Sequence, residues 1–386
     1  MTTTFARASQ QKGRPDYLLL AFVAALVLIG LQAVYSATFA LAITEYNNML
    51  HFLMLQGLWA VIGSILLIVC MRLDYRVWKL LSPLVVLMAV VALVLVLLPG
   101  LGSTQYGATR WLKLGPLPPT QPSEFVKLAV VIGLAAWLSG PGQPAKQVSK
   151  GLLPLMIALA GLTGLIMKEP DLGTALVIIL TAMTMYFLGG ADLKSLLVLF
   201  SSGLAGGALL VLSAAYRMDR WQSFLDPWKD PAGTGFHIIQ LLIALGSGGI
   251  FGLGIGASRQ KFFYVPGAHT DGIFAIIGEE TGFLGCLVVV FLFAAVVYRG
   301  AKIVQRASEP FGALLAMGIV SWIAFQTLIN IGGITRSIPL TGIPLPFISY
   351  GGSSLAATMA AVGILLNISR QAEQTNVPAA EEPRRP

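Results

Sequence analysis

The segment from Gly267 to Tyr298 reads GAHTDGIFAIIGEETGFLGCLVVVFLFAAVVY and decides the class of this protein. Its second half is an apolar run, and about 20 such residues cross the hydrocarbon core of a bilayer as a helix. Its first half holds three carboxylates and a histidine: Asp271, Glu279, Glu280 and His269. Ionisable groups at membrane depth are costly, so acids in this place predict a functional site. We therefore expect a membrane helix with Asp271 close to the chemistry.

The composition of the whole chain is that of a polytopic membrane protein. Of its 386 residues, 56% are hydrophobic and only 11% are charged, whereas about a quarter of the residues in a soluble domain are charged. In a soluble protein, a formal net charge of +8 would indicate a nucleic-acid partner. Here the basic residues are scattered between apolar runs, a pattern that orients membrane proteins, so we expect no nucleic-acid partner.

The apolar runs predict an all-α polytopic fold with about ten transmembrane helices. We expect a cytoplasmic tail at 1–16, a transmembrane domain at 17–370 and a disordered cytoplasmic tail at 371–386. The predicted spans are Tyr17–Phe39, Phe52–Met71, Leu80–Leu98, Ser123–Leu138, Leu152–Met167, Leu172–Gly189, Ser195–Ala215, Asp271–Tyr298, Phe311–Gly332 and Phe347–Ile368.

The distribution of Lys and Arg predicts the orientation. With the N-terminus inside, the short outside loops carry few basic residues, so both termini are expected in the cytoplasm. The long loop Tyr216–Thr270, between the seventh and eighth spans, then lies outside. Its middle, His237–Gly256, is apolar and glycine-rich but too interrupted for a span, which predicts a re-entrant or interfacial segment.

The three acids of the eighth span have two interpretations. If Asp271 begins that helix, Glu279 lies roughly 12 Å deeper on a similar face, while Glu280 points about 100° away. A functional pocket is the first interpretation. In the second, Asp271 merely caps the helix, and the two glutamates are structural partners of Lys168, Arg336 or another basic group.

Other polar residues can also be interpreted either as ligand-binding groups or as structural and surface residues. The turn Lys168–Asp171, which contains Glu169, would suit a phosphate and a cation, or it is a solvated hairpin tip. Three cations in glycine-rich outside loops suit an anionic headgroup or pyrophosphate, or are general surface charge: Arg110, Arg259 and Lys261. The proline-rich loop before Ser349 predicts close helix packing, with a polar cavity wall as the second interpretation.

The residues alone do not decide between an enzyme and a transporter. The three histidines have no metal-ligand spacing, so any metal ligands stay unknown. Gly252–Gly256 lacks the Lys-Ser/Thr of a nucleotide-binding loop.

Seven motifs along nearly the whole chain add specificity. In them the chain resembles the SEDS family (shape, elongation, division and sporulation), the cell-wall polymerases of the FtsW and RodA type. The motifs are Gly107–Leu112, Gln121–Lys127, Glu169–Ala175, Gly246–Gly249, His269–Asp271, Gly278–Glu280 and Pro344–Ser354. Phe224–Trp228 and Ala257–Tyr264 are more similar to the FtsW division branch than to the elongation branch.

The resemblance implies a peptidoglycan glycosyltransferase that polymerises lipid II on the outer face of the bacterial cytoplasmic membrane. The family's essential aspartate corresponds to Asp271, which would take the proton of the attacking sugar hydroxyl. A divalent cation, Mg²⁺ or Mn²⁺, is implied as well. Residues expected to bind substrate are Arg110, Lys127, Lys168, Glu169, Asp171, Arg259, Lys261, His269, Thr270, Glu279, Glu280 and Ser349.

The resemblance also implies partners and leaves rival functions open. A class B penicillin-binding protein would crosslink the glycan, and other septal division proteins would join the complex. A lipid II flippase and a non-catalytic scaffold remain alternatives. The chain departs from the family pattern at Gly272, where a bulky Phe is usual, at Thr281, where Leu is usual, and at Arg336.

Overall fold

The computed structural model describes residues 13–105, 108–113, 119–142, 144–262 and 264–372, and these residues are mostly helical. The predicted tails therefore lie outside the described residues, apart from 13–16 and 371–372. The helices are α1 (Tyr17–Tyr46), α2 (His51–Arg72), α3 (Arg76–Val96), α4 (Pro122–Leu138), α5 (Leu153–Lys168), α6 (Leu172–Leu188), α7 (Leu193–Leu212), α8 (Ala215–Leu225), α9 (Phe236–Ser247), α10 (Ile273–Arg306), α11 (Pro310–Ile334) and α12 (Gly352–Ala372).

Each of the ten predicted spans overlaps one of these helices, with ends that differ by up to eight residues. In the described part of the chain, eight helices are long and apolar enough to cross a membrane, α5 counting with the π-helical turn Val148–Leu152 before it. This confirms the polytopic membrane class. The other two, α4 and α6, have 17 residues each, so the total of ten spans stays a prediction.

The bundle is built around α11 and α12. In their spanning stretches, 72% and 89% of the residues are buried, against 11% for α7. Small residues permit this packing: a Cβ on Gly363 of α12 would lie 2.4 Å from the carbonyl oxygen of Leu67 on α2. Without a hydrophobic force between helices in lipid, such close backbone approach is what drives their association.

Polar contacts tie the helix ends together at two opposite ends of the bundle. At one end, which we call the Asp16 end, Asp16 pairs with Arg299 at 2.6 Å, and Arg76 pairs with Glu309 at 2.7 Å. At the other, the Asp271 end, the amide of Tyr350 donates to the carbonyl of His269 at 2.8 Å. The 27 residues of α10 from Ile273 to Arg299 separate the ends by roughly 40 Å at 1.5 Å per residue.

Two connections differ from simple loops. The segment after α3 contains an antiparallel hairpin, β1 (Gly102–Gln105) paired with β2 (Ala108–Leu112), which the all-α prediction lacked. Strands of four and five residues leave too short a pattern to detect. The long loop before α10 contains α8, a 3-10 turn and α9, and α9 is an apolar helix of 12 residues. That it is re-entrant or interfacial stays a prediction.

Candidate functional site

Asp271 lies just before α10, with its side chain half-buried. Gly272 occupies the N-cap position and no side chain caps the helix, so the capping interpretation does not describe Asp271. The Thr270 hydroxyl lies 3.0 Å from Asp271 Oδ1 and 3.1 Å from the Gly267 carbonyl oxygen, so it can donate to either. Within the described ranges, the Asp271 carboxylate has no other hydrogen bond, which leaves Oδ2 open to a ligand proton.

The backbone of Asp271 is fixed by an amide that sequence reasoning missed. Asn330 on α11 is buried, and its Nδ2 donates to the Asp271 carbonyl at 3.0 Å and to the Ile343 carbonyl at 2.8 Å. It thereby joins the start of α10 to the loop that follows α11. A Cβ on Gly342 of that loop would lie 3.6 Å from Asp271 Oδ2. The only signal in the sequence is an Asn within an apolar helix.

His269 is held between two aromatic rings beside the carboxylate. Its ring centroid lies 5.6 Å from that of Phe52 and 5.5 Å from that of Tyr350. Burial lowers the pKa of His269 to about 4, although the negative charge of Asp271 acts in the opposite direction. The imidazole is therefore neutral near pH 7 and offers a hydrogen bond rather than a positive charge.

His237 and Arg220 complete the surroundings of Asp271, and neither was among the predicted site residues. His237 on α9 is close enough to interact electrostatically with both Asp271 and Arg220. Arg220 on α8 is exposed, and its Nη1 donates to the Thr341 carbonyl at 3.2 Å. Both residues lie in the long predicted loop Tyr216–Thr270, and only the fold of its α8–α9 segment brings His237 within electrostatic range of Asp271 and Arg220.

Glu279 and Glu280 are pinned to the loop that precedes Asp271. Glu279 accepts hydrogen bonds from the Ser258 hydroxyl at 2.5 Å and from the Arg259 amide at 2.9 Å. Glu280 instead pairs with Lys261, with 3.2 Å between Oε1 and Nζ. The two acids therefore have separate partners, as their 100° separation on the helix predicts. All of these carboxylate and ammonium groups are occupied by protein partners.

The loop that precedes Asp271 also supplies hydrogen-bond partners at a break in α10. Gly282 has φ 70°, outside the helical region, and interrupts the hydrogen-bond ladder. The Leu253 and Gly254 amides donate to the carbonyls of Glu279 and Glu280 before the break, at 2.9 and 3.0 Å. The Phe283 amide after the break donates to the Gly249 carbonyl at 2.9 Å. Broken helices in a membrane are tolerated where protein satisfies the freed groups.

Lys127 belongs to a buried network between α4 and α11. Its ammonium lies 2.8 Å from Glu124 and 2.7 Å from the side-chain oxygen of Gln326, and both charged side chains are 2% exposed or less. Gln326 also accepts from the indole of Trp322 and donates to the Pro344 carbonyl. This network supports the loop that carries Ser349 rather than leaving Lys127 free for a ligand.

The turn between α5 and α6 is closed by Arg110. The Arg110 guanidinium donates to the carbonyls of Glu169, at 2.8 Å, and of Pro170. Asp171 caps α6 by accepting from the Thr174 amide at 3.0 Å. Glu169 is fully buried, and within the described part of the chain neither carboxylate oxygen has a hydrogen-bond partner. Burial and, to a smaller extent, the nearby charge of Asp171 raise its pKa to about 8, although Arg110 acts in the opposite direction.

The remaining predicted residues separate into two kinds. Lys168 and Arg259 have exposed side chains. Ser349 is buried and accepts from the Leu345 amide at 2.8 Å, so it closes a turn. The structure thus brings His269 and Thr270 to Asp271, and it gives Arg110, Lys127 and Lys261 protein partners.

The sequence and the fold of this chain are similar to those of known proteins. A family model for cell cycle proteins, covering FtsW, RodA and SpoVE, matches residues 16–374. This chain belongs to that family. Stage V sporulation protein E of Bacillus subtilis is 44% identical over 93% of this chain and 98% of its own length. The probable peptidoglycan glycosyltransferase FtsW of Geobacter metallireducens is 39% identical over 97% of this chain and all of its own.

Solved structures of the family have the same fold. The rod shape determining protein RodA of Thermus thermophilus matches with a TM-score of 0.68 and 27% identity, over 92% of this chain and 97% of that one. A chain of a peptidoglycan synthase complex, described as coordinating polymerization and crosslinking, matches with a TM-score of 0.76 and 28% identity, over 93% of this chain and 98% of that one.

Two departures from the family pattern have local explanations. The backbone of Gly272 is tightly surrounded: a Cβ there would lie 3.1 Å from a Val265 methyl and 3.2 Å from a Leu241 methyl. Arg336 donates to the carbonyls of Phe224 and Leu225 at 3.0 and 2.7 Å, so it fastens α8 to the end of α11. Nothing in the structure explains Thr281 beyond its bond to the Ile277 carbonyl.

Proposed function

We propose that this chain is a peptidoglycan glycosyltransferase that polymerises lipid II, with Asp271 as the catalytic base. The observation that carries the proposal is the Asp271 carboxylate itself. Its Oδ1 lies within hydrogen-bond distance of the Thr270 hydroxyl, while Oδ2 remains open to a substrate hydroxyl. The side chain is half-buried, so a ligand can reach it. The curated relatives named FtsW are probable peptidoglycan glycosyltransferases, and the motif His269–Asp271 resembles the family's essential aspartate motif.

The reaction needs one proton acceptor and one stabilised leaving group. Asp271 takes the proton from the 4-hydroxyl of the incoming lipid II sugar while that oxygen attacks the anomeric carbon of the growing chain. The bond from that carbon to the undecaprenyl pyrophosphate breaks, and the pyrophosphate leaves with the electron pair. The Thr270 hydroxyl supplies a hydrogen bond that orients the carboxylate without neutralising it. The imidazole of His269 is neutral and adds no positive charge beside it.

The leaving pyrophosphate requires positive charge at the Asp271 end. Arg220 is the cation best placed for this role, because it is exposed and donates to the Thr341 carbonyl. A Cβ on the next residue, Gly342, would lie 3.6 Å from Asp271 Oδ2. Exposed Arg259 and Lys168 are further candidates. Lys127 and Lys261 act indirectly in this proposal, since their ammonium groups already bind Glu124 and Glu280.

A divalent cation fits this site only as an ion shared with the substrate. Among the described residues, no group of three or more His, Cys, Asp and Glu could hold a metal. Mg²⁺, however, is commonly held by one or two carboxylates together with substrate phosphates and water. Asp271 with the Thr270 hydroxyl would supply the protein ligands, and the ion would offset charge on the pyrophosphate.

The distribution of buried charge favours polymerisation over transport. The buried charged residues of the described ranges belong to the Asp271 half of the helices: Glu124, Lys127, Glu169, Asp171, Lys261, Glu279 and Glu280. A flippase needs a polar path through both halves of the membrane. We place the Asp271 end on the outer face of the cytoplasmic membrane, because the basic loops gather at the Asp16 end.

A crosslinking partner belongs to the same proposal. The structural relative in a complex is one that couples polymerization to crosslinking. We propose that this chain pairs with a class B penicillin-binding protein and, in the division branch, with other septal proteins. The exposed apolar faces of α7 and α10 provide surface for a single-span partner.

The test is polymerisation of purified lipid II with Mg²⁺ or Mn²⁺, with and without the cognate transpeptidase. Asp271→Asn keeps the shape of the side chain but removes the base, so we expect a loss of about 10²–10⁴-fold in rate. Asp219→Asn, which changes an exposed acid on α8, is the matched control and should keep the wild-type rate. Wild-type polymerisation by a folded Asp271→Asn variant would exclude the assignment.

The rival functions have distinct outcomes in the same experiment. A scaffold gives no polymer from either protein. A flippase gives no polymer but moves lipid II across vesicles, and that translocation should depend on Asp271.

A further inference from the structure

A second polar cavity lies at the Asp16 end, far from the proposed active site. It has a volume of about 260 Å³ and lies where the start of α1 meets the last turns of α10 and α12. One water needs only about 15 Å³ of such volume, so a hydrated phosphate group fits. Its charged lining residues are Arg14, Asp16, Arg299, Lys302 and Arg306.

Among the described residues that line the cavity, the one acid is already neutralised. Asp16 Oδ2 accepts from both Nε and Nη2 of Arg299, at 2.9 and 2.6 Å. The other oxygen, Oδ1, caps α1 by accepting from the Leu19 amide at 3.0 Å. Beyond the Asp16–Arg299 pair, Lys302 and Arg306 give the described lining an excess of two positive charges, without counting Arg14. Such an excess around a concave site favours an anion.

The rim of the cavity is suited to a lipid rather than to a soluble anion. Tyr17 and Leu18, which line it, are 60% and 55% exposed. Tyr298, one turn before Lys302 on α10, is 58% exposed, and the Lys302 ammonium lies 4.5 Å from its ring centroid. Tyrosines at a helix end mark the level of the lipid headgroups. An anion bound there would have its apolar tail beside Leu18.

We propose that this cavity binds the phosphate of an anionic phospholipid in the leaflet at the Asp16 end. Lys302 and Arg306 contact the headgroup from α10, and the Asp16–Arg299 pair forms a fixed wall. Basic pockets between transmembrane helices recognise anionic headgroups in this way. The site is independent of polymerisation, because it shares no residue with the Asp271 end.

The test is lipid binding by the full chain in detergent, followed by native mass spectrometry. Phosphatidylglycerol is titrated against wild type and against the Lys302→Gln/Arg306→Gln variant. At about 1 kcal/mol per cation near the membrane surface, the variant should bind it about 30-fold more weakly. The matched control, Lys146→Gln/Lys150→Gln, removes two charges at the same end outside the cavity and should change binding less than about two-fold.

Each outcome supports or overturns the proposal. Equal phosphatidylglycerol affinity in wild type and variant overturns it, as does an equal loss in the control, which would show general surface attraction. Equal loss of phosphatidylcholine binding would also overturn it. Displacement of the lipid by millimolar glycerol 3-phosphate would indicate a soluble phosphate as the ligand instead.

If the double variant does not fold, a single substitution tests the same site. Arg306 is exposed, so Arg306→Gln alone tests the same contact with an expected loss of about five-fold. The charge-preserving variant Lys302→Arg/Arg306→Lys should retain the lipid. Its failure to do so, in protein with unchanged thermal unfolding, would contradict a charge-based site.

Discussion

The side-chain amide of Asn330 donates a hydrogen bond of 3.0 Å to the backbone carbonyl of Asp271. Because Asn330 also binds the Ile343 carbonyl at 2.8 Å, one buried amide holds both the start of α10 and the loop after α11. The proposed catalytic carboxylate is therefore positioned from the centre of the bundle. The segment before α10 and the loop after α11, which are distant in sequence, are thereby held at a fixed distance from each other at the site.

Asn330→Ala should slow polymerisation while leaving lipid II affinity nearly unchanged. A misplacement of about 1 Å costs on the order of 10²-fold in rate, so we expect a loss of that size in kcat rather than in KM. The measurement is steady-state polymerisation by protein whose thermal unfolding is also recorded. Asn48→Ala, in the exposed turn before α2, is the matched control, and a loss confined to KM would contradict a positioning role.

Removal of Lys261 should destabilise the protein more than removal of Lys261 and Glu280 together. The pair is buried, with 3.2 Å between the charges, and one buried charge left alone costs about 3–5 kcal/mol. We expect Lys261→Met to lower the Tm strongly and Lys261→Met/Glu280→Gln to recover part of the loss. Arg76→Met, at the exposed pair with Glu309, should cost about 1 kcal/mol or less. An unchanged Tm in the double variant relative to Lys261→Met would speak against the pair.

Gly282→Ala should prevent normal folding. The residue has φ 70°, and a Cβ there would lie 2.4 Å from the Gly252 amide nitrogen. Gly206→Ala in α7 is the control, because a Cβ there meets nothing within 4 Å, and it should stabilise the helix by about 1 kcal/mol. Yield and thermal unfolding in detergent report both effects. Wild-type stability in Gly282→Ala would show that the break in α10 is dispensable.

Glu169 should make the protein less stable as the pH rises. Its pKa is about 8 in the folded state against 4.5 ordinarily, so between these values the folded state binds more protons than the unfolded state. Stability is therefore fully present below pH 4.5 and is lost as pH rises toward 8. Glu169→Gln should raise the Tm at pH 8 more than at pH 5.

The control for that pH dependence is Glu45→Gln, at the exposed end of α1. It should leave the dependence of Tm on pH unchanged. A Glu169→Gln variant with the same Tm profile as wild type would mean that the buried carboxyl has a partner in the folded protein.

The membrane class and the approximate helix positions could be predicted because they depend on local hydrophobicity. A span such as Phe311–Gly332 needs only its own apolar residues to be recognised, and it coincides with α11. The hairpin β1–β2 escaped because its strands are short and apolar periodicity cannot distinguish them from a loop. The glycine break at Gly282 escaped because its φ of 70° depends on the loop that binds the freed backbone groups, and that contact forms only in the folded protein.

The candidate site was only partly accessible from the sequence. Asp271 could be recognised without knowledge of its neighbours, because a carboxylate beside an apolar run is costly wherever the chain folds. The partners of Glu280 could not be recognised, because Lys261 and Ser36 are distant from it in sequence and contact it only in the folded protein. Likewise, His237 interacts electrostatically with Asp271 and Arg220 only because of the path of the α8–α9 segment.

The sequence by itself determined that this is a polytopic membrane protein of the FtsW, RodA and SpoVE family with an acid at Asp271. Transfer of apolar residues into lipid is a property of each segment, and the motifs are read residue by residue. Only the tertiary structure decided which charged side chains remain accessible to a ligand and which are paired with another residue of the protein. Lys127 and Lys261 look like ligands for an anion until Glu124 and Glu280 are brought within 2.8 and 3.2 Å of them, because buried charges persist only when the fold supplies a partner.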